Sequence, residues 1–189
     1  MARWDPGAEE RLRHAALELY LERGFDDVTV SEITERAGLT RRTFFRYFAD
    51  KREVLFAGAE RLPALVTDAV CDAEDGLATF EVVLRALRGV GRRLTEHVTN
   101  AHERRLIIAC STDLQERERT KLAALTEAAA EGLRARGVAA PTATLMAGVG
   151  LAILQAACER WAVGEGGIAF DACFDEAVAE VTAGCAAAS

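Results

Sequence analysis

The sequence lacks the residue patterns that most often mark a catalytic or metal site. Its five cysteines form no C-x-x-C pair, and none of its three histidines stands at ligand spacing from a cysteine or a carboxylate, so a zinc or iron site is unsupported. The G-x-S-x-G element of serine hydrolases is absent. Gly148 and Gly150 lie inside a helical pattern without a preceding strand, which argues against a phosphate-binding loop. We therefore expect no enzyme: no catalytic residue, no metal and no cofactor.

Signals for export and for membrane insertion are also missing. The N-terminal stretch up to His14 has no apolar run of the signal-peptide type. The longest apolar run, 147–158, is shorter than the roughly 18 residues that a membrane-spanning helix needs. The cysteines are odd in number and widely spaced, as is typical of proteins in a reducing compartment. These absences predict a cytoplasmic protein that does not contact a membrane.

What remains is the composition of a globular helical protein. Half of the 189 residues are apolar and 28% are charged, which suits one core, or one core with a small appended domain. Helical periodicity runs through the Ala-rich C-terminal two-thirds, and no strand pattern competes with it. One helix is predicted to begin at Lys51, bend at Pro63 and end near Asp75. Further helices are predicted over 8–23, 78–99, 103–111, 114–136, 141–164 and 168–186.

The most informative stretch of the chain is 29–51. Thr29 and Glu32 have the spacing of a capping box, so a helix is expected to start directly after Thr29. Gly38 supplies the left-handed backbone that ends this helix. Thr40 then caps a second short helix. Two short helices joined by a tight glycine turn form a helix-turn-helix, which is the architecture of many DNA-binding domains.

The second short helix carries positively charged side chains in its first turn, where positive charge is electrostatically unfavourable. Arg41 and Arg42 fall in its first turn, where positive charge opposes the helix macrodipole, so a phosphate or a guanine edge is the expected partner. Phe44 and Phe48 are four residues apart and are predicted to face the core. Three intervening side chains then face outward, where a ring edge can touch a thymine methyl and a phenol can bind a phosphate: Phe45, Arg46 and Tyr47.

Positive charge is concentrated on this stretch. Six cations lie from Arg36 to Arg52 against Asp50 alone, a local net charge of +5, whereas the whole chain carries −7. Asp50 and Glu53 have the spacing of a second capping box, which places the Lys51 ammonium near the same surface. An acidic protein with one basic patch is expected to bind nucleic acid through that patch and to repel it elsewhere.

The order and spacing of these features resemble the N-terminal domain of the TetR family of transcriptional regulators. The resemblance rests on the capped helix, the A-G-L-T turn, two arginines, T-F-F-R-Y-F and then D-K-R-E-V-L, and it covers about the first third of the chain. It implies an all-α homodimer with about nine helices. An N-terminal three-helix helix-turn-helix DNA-binding domain would span 1–50, and a C-terminal helical ligand-binding and dimerisation domain would span 51–189.

The resemblance also implies roles for individual residues. Seven positions fall where family members meet the major groove and its phosphates: Thr40, Arg41, Arg42, Thr43, Phe45, Arg46 and Tyr47. Lys51 falls where they contact the DNA backbone from the next helix, and Thr29 where a preceding helix start touches a phosphate. Other interpretations stay open: Thr29 and Thr40 could be caps only, the cations a solvated surface, and Phe45 a core residue.

The C-terminal part offers candidates for an effector pocket and for a dimer interface. Polar or soft residues among apolar ones are the pocket candidates: His97, Thr99, Asn100, Cys110 and Trp161. Without a positive cluster nearby, a small apolar effector is expected, although the same residues could be surface, cap or core residues. Small and apolar side chains on the last two helices predict a four-helix dimer interface: Thr144, Ala147, Gly148, Leu151, Ala152, Gln155 and Ala156 with Phe170, Phe174, Ala177, Val178 and Val181.

Together these patterns predict a dimeric repressor that binds a palindromic operator in double-stranded DNA and is released by a small molecule. The alternative is a helical adaptor that uses the aromatic and basic surface to bind another protein. The two differ in their response to salt, because binding through several phosphates weakens steeply as salt rises.

Overall fold

The structure, a computed structural model, describes residues 7–96, 100–164 and 167–187, and every regular element within these ranges is helical. The α-helices are α1 Ala8–Arg23, α2 Val30–Arg36, α3 Arg41–Tyr47, α4 Leu62–Cys71, α5 Thr79–Glu96, α6 Ala101–Ala109, α7 Thr112–Ala135, α8 Ala140–Val163 and α9 Phe170–Ala187. The predicted all-α fold is confirmed. The starts of α1, α5, α6, α7, α8 and α9 agree with the sequence prediction to within two residues.

The chain divides into two compact units. The N-terminal unit contains the described residues up to Ala59 together with Glu103–Arg119. The C-terminal unit contains the described residues of 60–102 and 120–189. α7 therefore contributes its first turns to the N-terminal unit and its remaining turns to the C-terminal unit.

The core of the N-terminal unit forms around one face of α1. Its apolar side chains at helical spacing are buried, and α1 ends where the Gly24 amide donates to the Tyr20 carbonyl at 2.9 Å. Side chains from α2, α3 and the first turns of α7 complete the cluster. The buried members include Leu12, Ala16, Leu19, Phe25, Val28, Ile33, Phe44, Phe48 and Leu114. Burial of this cluster fixes α2 and α3 against α1.

The continuous helix predicted from Lys51 to Asp75 is wrong. The chain forms two short 3-10 turns, Glu53–Phe56 and Ala59–Arg61, and α4 begins only at Leu62. Gly58, with φ of +81°, separates the two turns. Pro63 lies in the first turn of α4, where its missing amide hydrogen has no helical acceptor to lose, so the proline starts a helix and does not bend one.

The apolar pattern after Lys51 misled the prediction because it contains consecutive buried residues. Val54, Leu55 and Phe56 are all buried in the N-terminal core. One face of an α-helix cannot bury three successive side chains, since each residue rotates the next by about 100°. A 3-10 turn spreads successive side chains further still, by about 120°. This segment is therefore buried because the core contacts it on more than one side.

Glycines allow close packing among the helices of the C-terminal unit. A Cβ at Gly150 of α8 would lie 2.4 Å from Val83 Cγ1 and 3.0 Å from Leu87 Cδ1, both on α5. A Cβ at Gly91 of α5 would lie 2.1 Å from the Phe170 ring of α9. α5, α8 and α9 therefore approach one another at distances that only glycine permits at these positions.

α4 and α7 are joined by a row of side-chain to backbone hydrogen bonds. Thr67 Oγ1 donates to the Ala128 carbonyl at 3.2 Å. Further along, the Arg136 guanidinium donates to the carbonyls of Cys71 and Ala73 at 3.0 and 2.7 Å. These carbonyls follow the last helical hydrogen bonds of α4, so Arg136 satisfies groups that a helix end leaves unpaired.

The predicted dimer interface is partly wrong, because several of its residues lie inside the protomer. The buried members are Ala147, Leu151, Phe170, Phe174 and Ala177. α8 carries small residues on more than one face, and the sequence alone does not tell which face a partner covers. By length and composition α8 would also be able to cross a membrane, but its buried face packs on α5 and α9, which explains its apolar character.

We predict opposite effects of two Gly to Ala substitutions in this packing. Gly150→Ala should destabilise the protein by about 1–3 kcal/mol, because the new methyl group meets the stiff side chain of Val83. Gly89→Ala, at an α5 position where a Cβ meets nothing within 4 Å, should stabilise it by about 0.5–1 kcal/mol. Urea unfolding followed by circular dichroism measures both. Equal stability of the two variants would contradict the packing described here.

Candidate nucleic-acid interface

α2 and α3 form the predicted helix-turn-helix. The Glu32 amide donates to Thr29 Oγ1 at 3.3 Å and the Glu32 carboxylate accepts from the Thr29 amide at 2.8 Å, so both halves of the capping box are present. Gly38 has a φ of +66° directly after α2, as the sequence predicts. The turn closes with a 2.8 Å hydrogen bond from the Leu39 amide to the Thr34 carbonyl.

α3 has one buried face and one exposed face. Thr40 caps it by accepting a hydrogen bond from the Thr43 amide at 3.1 Å. Phe44 is fully buried and Phe48 is 3% exposed, with their ring centroids 5.4 Å apart, whereas 51% of Phe45 is exposed. Phe44 and Phe48 lie in the core and Phe45 on the surface, as predicted. Tyr47, predicted to face outward, is half-buried instead.

Three cations lie on the exposed face of α3. Arg41 and Arg42 are exposed, and within the part of the chain that the structure describes neither forms an ion pair or a hydrogen bond through its side chain. Arg46 is exposed, donates to the Tyr47 hydroxyl at 3.1 Å and lies 4.8 Å from its ring centroid. The half-buried Tyr47 ring also packs against the core, so its hydroxyl marks the border between core and surface.

The other cations of the basic stretch are bound to acidic or carbonyl groups of the N-terminal unit. Arg36 pairs with Glu22 of α1 at 2.9 Å. Arg52 pairs with Asp50 at 2.7 Å and with Asp113 of α7 at 3.1 Å. These carboxylates raise the pKa of both guanidinium groups. The local charge of +5 therefore overstates the positive charge that is free to bind an anion.

The segment after α3 is held by further polar contacts. Burial raises the pKa of Asp50, but hydrogen bonds from the Arg52 guanidinium and from two backbone amides outweigh it and hold this pKa below its ordinary value. Asp50 thus caps the first 3-10 turn as half of the predicted capping box. Glu53 accepts a hydrogen bond from Arg117 of α7 at 2.7 Å. The segment that follows α3 is therefore held by ion pairs and hydrogen bonds to α7.

The Thr29 hydroxyl both donates and accepts hydrogen bonds within the α2 cap. It donates to the Glu32 carboxylate at 2.7 Å, and Arg23 donates to the second oxygen of the same carboxylate at 2.7 Å. The hydrogen bonds from Thr29 and Arg23 lower the pKa of Glu32 to about 2. The phosphate contact of Thr29 stays a prediction. Arg23 was not singled out by the sequence, because no local pattern links it to a residue nine positions later.

The Lys51 ammonium points into the protein. It donates to the carbonyls of Phe25, Asp26 and Val28 at 2.8, 3.2 and 2.9 Å. It also lies 4.3 Å from the centroid of the Phe25 ring. Nothing in the spacing of the sequence signals this arrangement, since the acceptors stand more than 20 residues earlier. The predicted contact between Lys51 and the DNA backbone stays a prediction.

The described candidate effector residues are divided between the two units, and the role of every candidate stays a prediction. His97 and Thr99 lie outside the described residues. Asn100 is exposed with φ of +73°, Cys110 is exposed, and Trp161 is half-buried. Cys110 belongs to the N-terminal unit and the other two to the C-terminal unit. Two surface grooves, of about 480 and 240 Å³, are lined by none of them.

Metal-ligating side chains do not cluster in the described ranges. No three His, Cys, Asp or Glu side chains within 7–96, 100–164 and 167–187 lie close enough together to hold a metal ion.

Comparison with known proteins identifies the helix-turn-helix. Residues 12–57, which contain α1, α2, α3 and the first 3-10 turn, match the family described as bacterial regulatory proteins, tetR family. The helix-turn-helix of this chain is therefore similar to that of the TetR family. A similar protein is the uncharacterized HTH-type transcriptional regulator YvdT of Bacillus subtilis, which is 32% identical over 87 residues. That alignment covers 46% of this chain, and the chain spans 45% of the length of YvdT.

Solved structures share the fold of this chain over most of its length. A Syntrophomonas wolfei protein assigned to the TetR family has a TM-score of 0.62 at 15% identity, with 93% of each chain covered. SmeT in its triclosan complex has a TM-score of 0.58 at 19% identity, covering 92% of this chain and 91% of that chain. At such low identity the likeness shows the fold only.

We predict that the Glu32 cap stabilises the protein in a pH-dependent way. The pKa of Glu32 is lower in the folded state than its ordinary value of 4.5, so its contribution is complete above pH 4.5 and is lost as pH falls towards 2. Glu32→Gln should therefore lower the unfolding temperature at pH 7, and the difference from the unmodified protein should shrink below pH 4.5. Thermal unfolding at several pH values measures this.

Glu35→Gln is the matched control for this prediction. Glu35 is exposed on the same helix and forms no ion pair within the described residues. A difference between Glu32→Gln and the unmodified protein that stays constant from pH 7 to pH 3 would show that the carboxylate does not act through its charge.

Proposed function

We propose that the protein is a transcriptional regulator that binds a palindromic operator in double-stranded DNA as a homodimer. The carrying observation is the exposed face of α3, where Arg41, Arg42 and Arg46 surround Phe45 while Phe44 holds the opposite face in the core. A helix of this shape and charge fits the major groove of B-form DNA. The TetR-family match over the same residues supports the proposal.

The chemistry of α3 suggests how DNA would be read. Arg41 and Arg42 lie at a helix N-terminus, and no carboxylate among the described residues pairs with them, so an anionic partner would stabilise them there. A guanidinium can bind guanine O6 and N7 together or bind a phosphate. The Phe45 edge can contact a thymine methyl, and the Thr40 and Thr43 hydroxyls can bind base edges or phosphates.

Pairing of two copies is proposed to use the exposed face of α8. Thr144, Gly148, Ala152 and Gln155 are exposed along this helix, and Leu145 is 59% exposed. Small side chains let two helices approach closely, and a two-fold axis would present two copies of α3 to the two half-sites of a palindrome. The described residues of 51–189 would then supply pairing, and those of 1–50 DNA binding.

Regulation by a small apolar effector belongs to the same proposal, as do repression and a cytoplasmic location. SmeT was solved as a complex with triclosan, which is a small apolar molecule held by a protein of this fold. The effector would act on the C-terminal unit.

We predict that Arg41→Ala and Tyr47→Ala each weaken operator binding roughly tenfold or more. Arg41→Ala should leave the stability unchanged, whereas Tyr47→Ala should lower it, because the Tyr47 ring packs against the core. Arg41 has no partner within the described residues, so its loss costs no contact in the free protein. Duplexes selected from a random pool with the purified protein supply the operator, and gel-shift titration measures affinity. Circular dichroism checks the fold.

Arg119→Ala, which removes an exposed arginine that pairs with Glu116 on α7, is the control and should retain operator affinity. Wild-type affinity in Arg41→Ala would refute the assignment. Salt separates DNA binding from a protein adaptor role: affinity for DNA should fall steeply between roughly 50 and 200 mM salt. If the unmodified protein selects no duplex from the pool, the proposed function is refuted.

The pairing face can be tested in solution. Leu145→Glu should convert the dimer to a monomer and weaken operator binding, because it would bury two carboxylates against each other. Analytical ultracentrifugation measures the mass, and Ala123→Glu, at an exposed position of α7, is the control. A Leu145→Glu protein that stays dimeric would show that another surface forms the interface.

A further inference from the structure

The ammonium of the half-buried Lys51 uses its entire hydrogen-bonding capacity on backbone carbonyls of the same protein. A lysine ammonium has three N–H donors and no acceptor. The three carbonyls of Phe25, Asp26 and Val28 lie within 3.2 Å of Nζ, so each donor has an acceptor. The Phe25 ring at 4.3 Å adds a cation–π contact.

These carbonyls belong to the loop that leads into α2. Val28 directly precedes Thr29, the cap of α2, and Phe25 and Val28 are buried at 5% and 1% exposure. The backbone of Lys51 is held too, because the Tyr20 hydroxyl donates to the Lys51 carbonyl at 2.7 Å. Lys51 thus joins the segment that follows α3 to both α1 and the start of α2.

We propose that Lys51 is a positioning residue, which fixes the start of α2 relative to α3 and does not bind a DNA phosphate. The proposal rests on the proposed function. A phosphate could bind Nζ directly only if the ammonium gave up at least one of its carbonyl acceptors, and that carbonyl would then lose its donor. Three converging carbonyls without a cation would repel one another, so the loop would shift and carry the Thr29 cap with it.

The test compares Lys51→Met, Lys51→Arg and Arg41→Ala in the full-length protein. Methionine keeps the length of the side chain without donors or charge. Arginine keeps the charge, but its planar fork does not match three converging carbonyls. Operator affinity is measured over a range of salt concentrations, well below the unfolding temperature of each variant. Thermal unfolding and amide hydrogen exchange of Thr29–Ile33 are measured without DNA.

A positioning role gives a distinct set of results. Lys51→Met should unfold at lower temperature, exchange the amides at the start of α2 faster and bind the operator roughly tenfold more weakly. Its slope of log affinity against log salt should match that of the unmodified protein. Lys51→Arg should also bind more weakly, with the same slope. Arg41→Ala should do the opposite, losing about 0.9 of the slope for each phosphate contact while its stability is unchanged.

Three results would overturn the proposal. A Lys51→Met slope reduced like that of Arg41→Ala, with full affinity in Lys51→Arg, would make Lys51 a phosphate contact. Unchanged operator affinity in a destabilised Lys51→Met would leave it a stabilising residue only. Unchanged amide exchange at Thr29–Ile33 would separate Lys51 from α2, and this measurement decides the matter even if the unmodified protein binds no duplex and the proposed function itself fails.

Discussion

The burial of Phe44 is the interaction on which the proposed DNA-binding helix, α3, depends. α3 has only seven residues, and an isolated helix of that length is not stable in water. Its geometry therefore comes from the Phe44 and Phe48 rings, which are packed into the cluster formed by α1 and α2. Because these rings fix the rotation of the helix about its axis, Phe45 and the neighbouring arginines must face solvent.

The same dependence explains which parts of the site the sequence predicts well. Caps and turns are local: Thr29 with Glu32, Thr40 with Thr43, and Gly38 all behave as their spacing indicates. The orientation of the aromatic side chains also depends mainly on nearby residues, because the four-residue spacing of Phe44 and Phe48 places both on one helix face. The partners of the cations are different. Whether an arginine is free depends on carboxylates that the fold brings from distant parts of the chain.

Arg36 and Arg41 illustrate this limit. Both contribute equally to a charge count along the sequence, yet Arg36 is paired with Glu22 of α1 and Arg41 has no partner within the described residues. A single unpaired guanidinium on a protruding helix attracts phosphate more effectively than a paired one, whose field is largely cancelled by the adjacent carboxylate. The positive charge that this surface presents therefore comes from three arginines and not from the net charge of the stretch.

Part of the predicted dimer interface is wrong for a reason that lies in the C-terminal unit. Small residues have two roles on α8 that look alike in the sequence. Gly150 allows α5 to pack closely inside the protomer, whereas Gly148 faces outward with nothing within 4 Å of a Cβ.

The close contact of Gly150 with Val83 bears on the proposed effector. A molecule entering between α5 and α8 would find no room for even one methyl group there, so it would have to separate the two helices. A ligand bound between α5 and α8 would therefore displace one helix from the other. Tight packing at this contact would couple ligand binding to a conformational change.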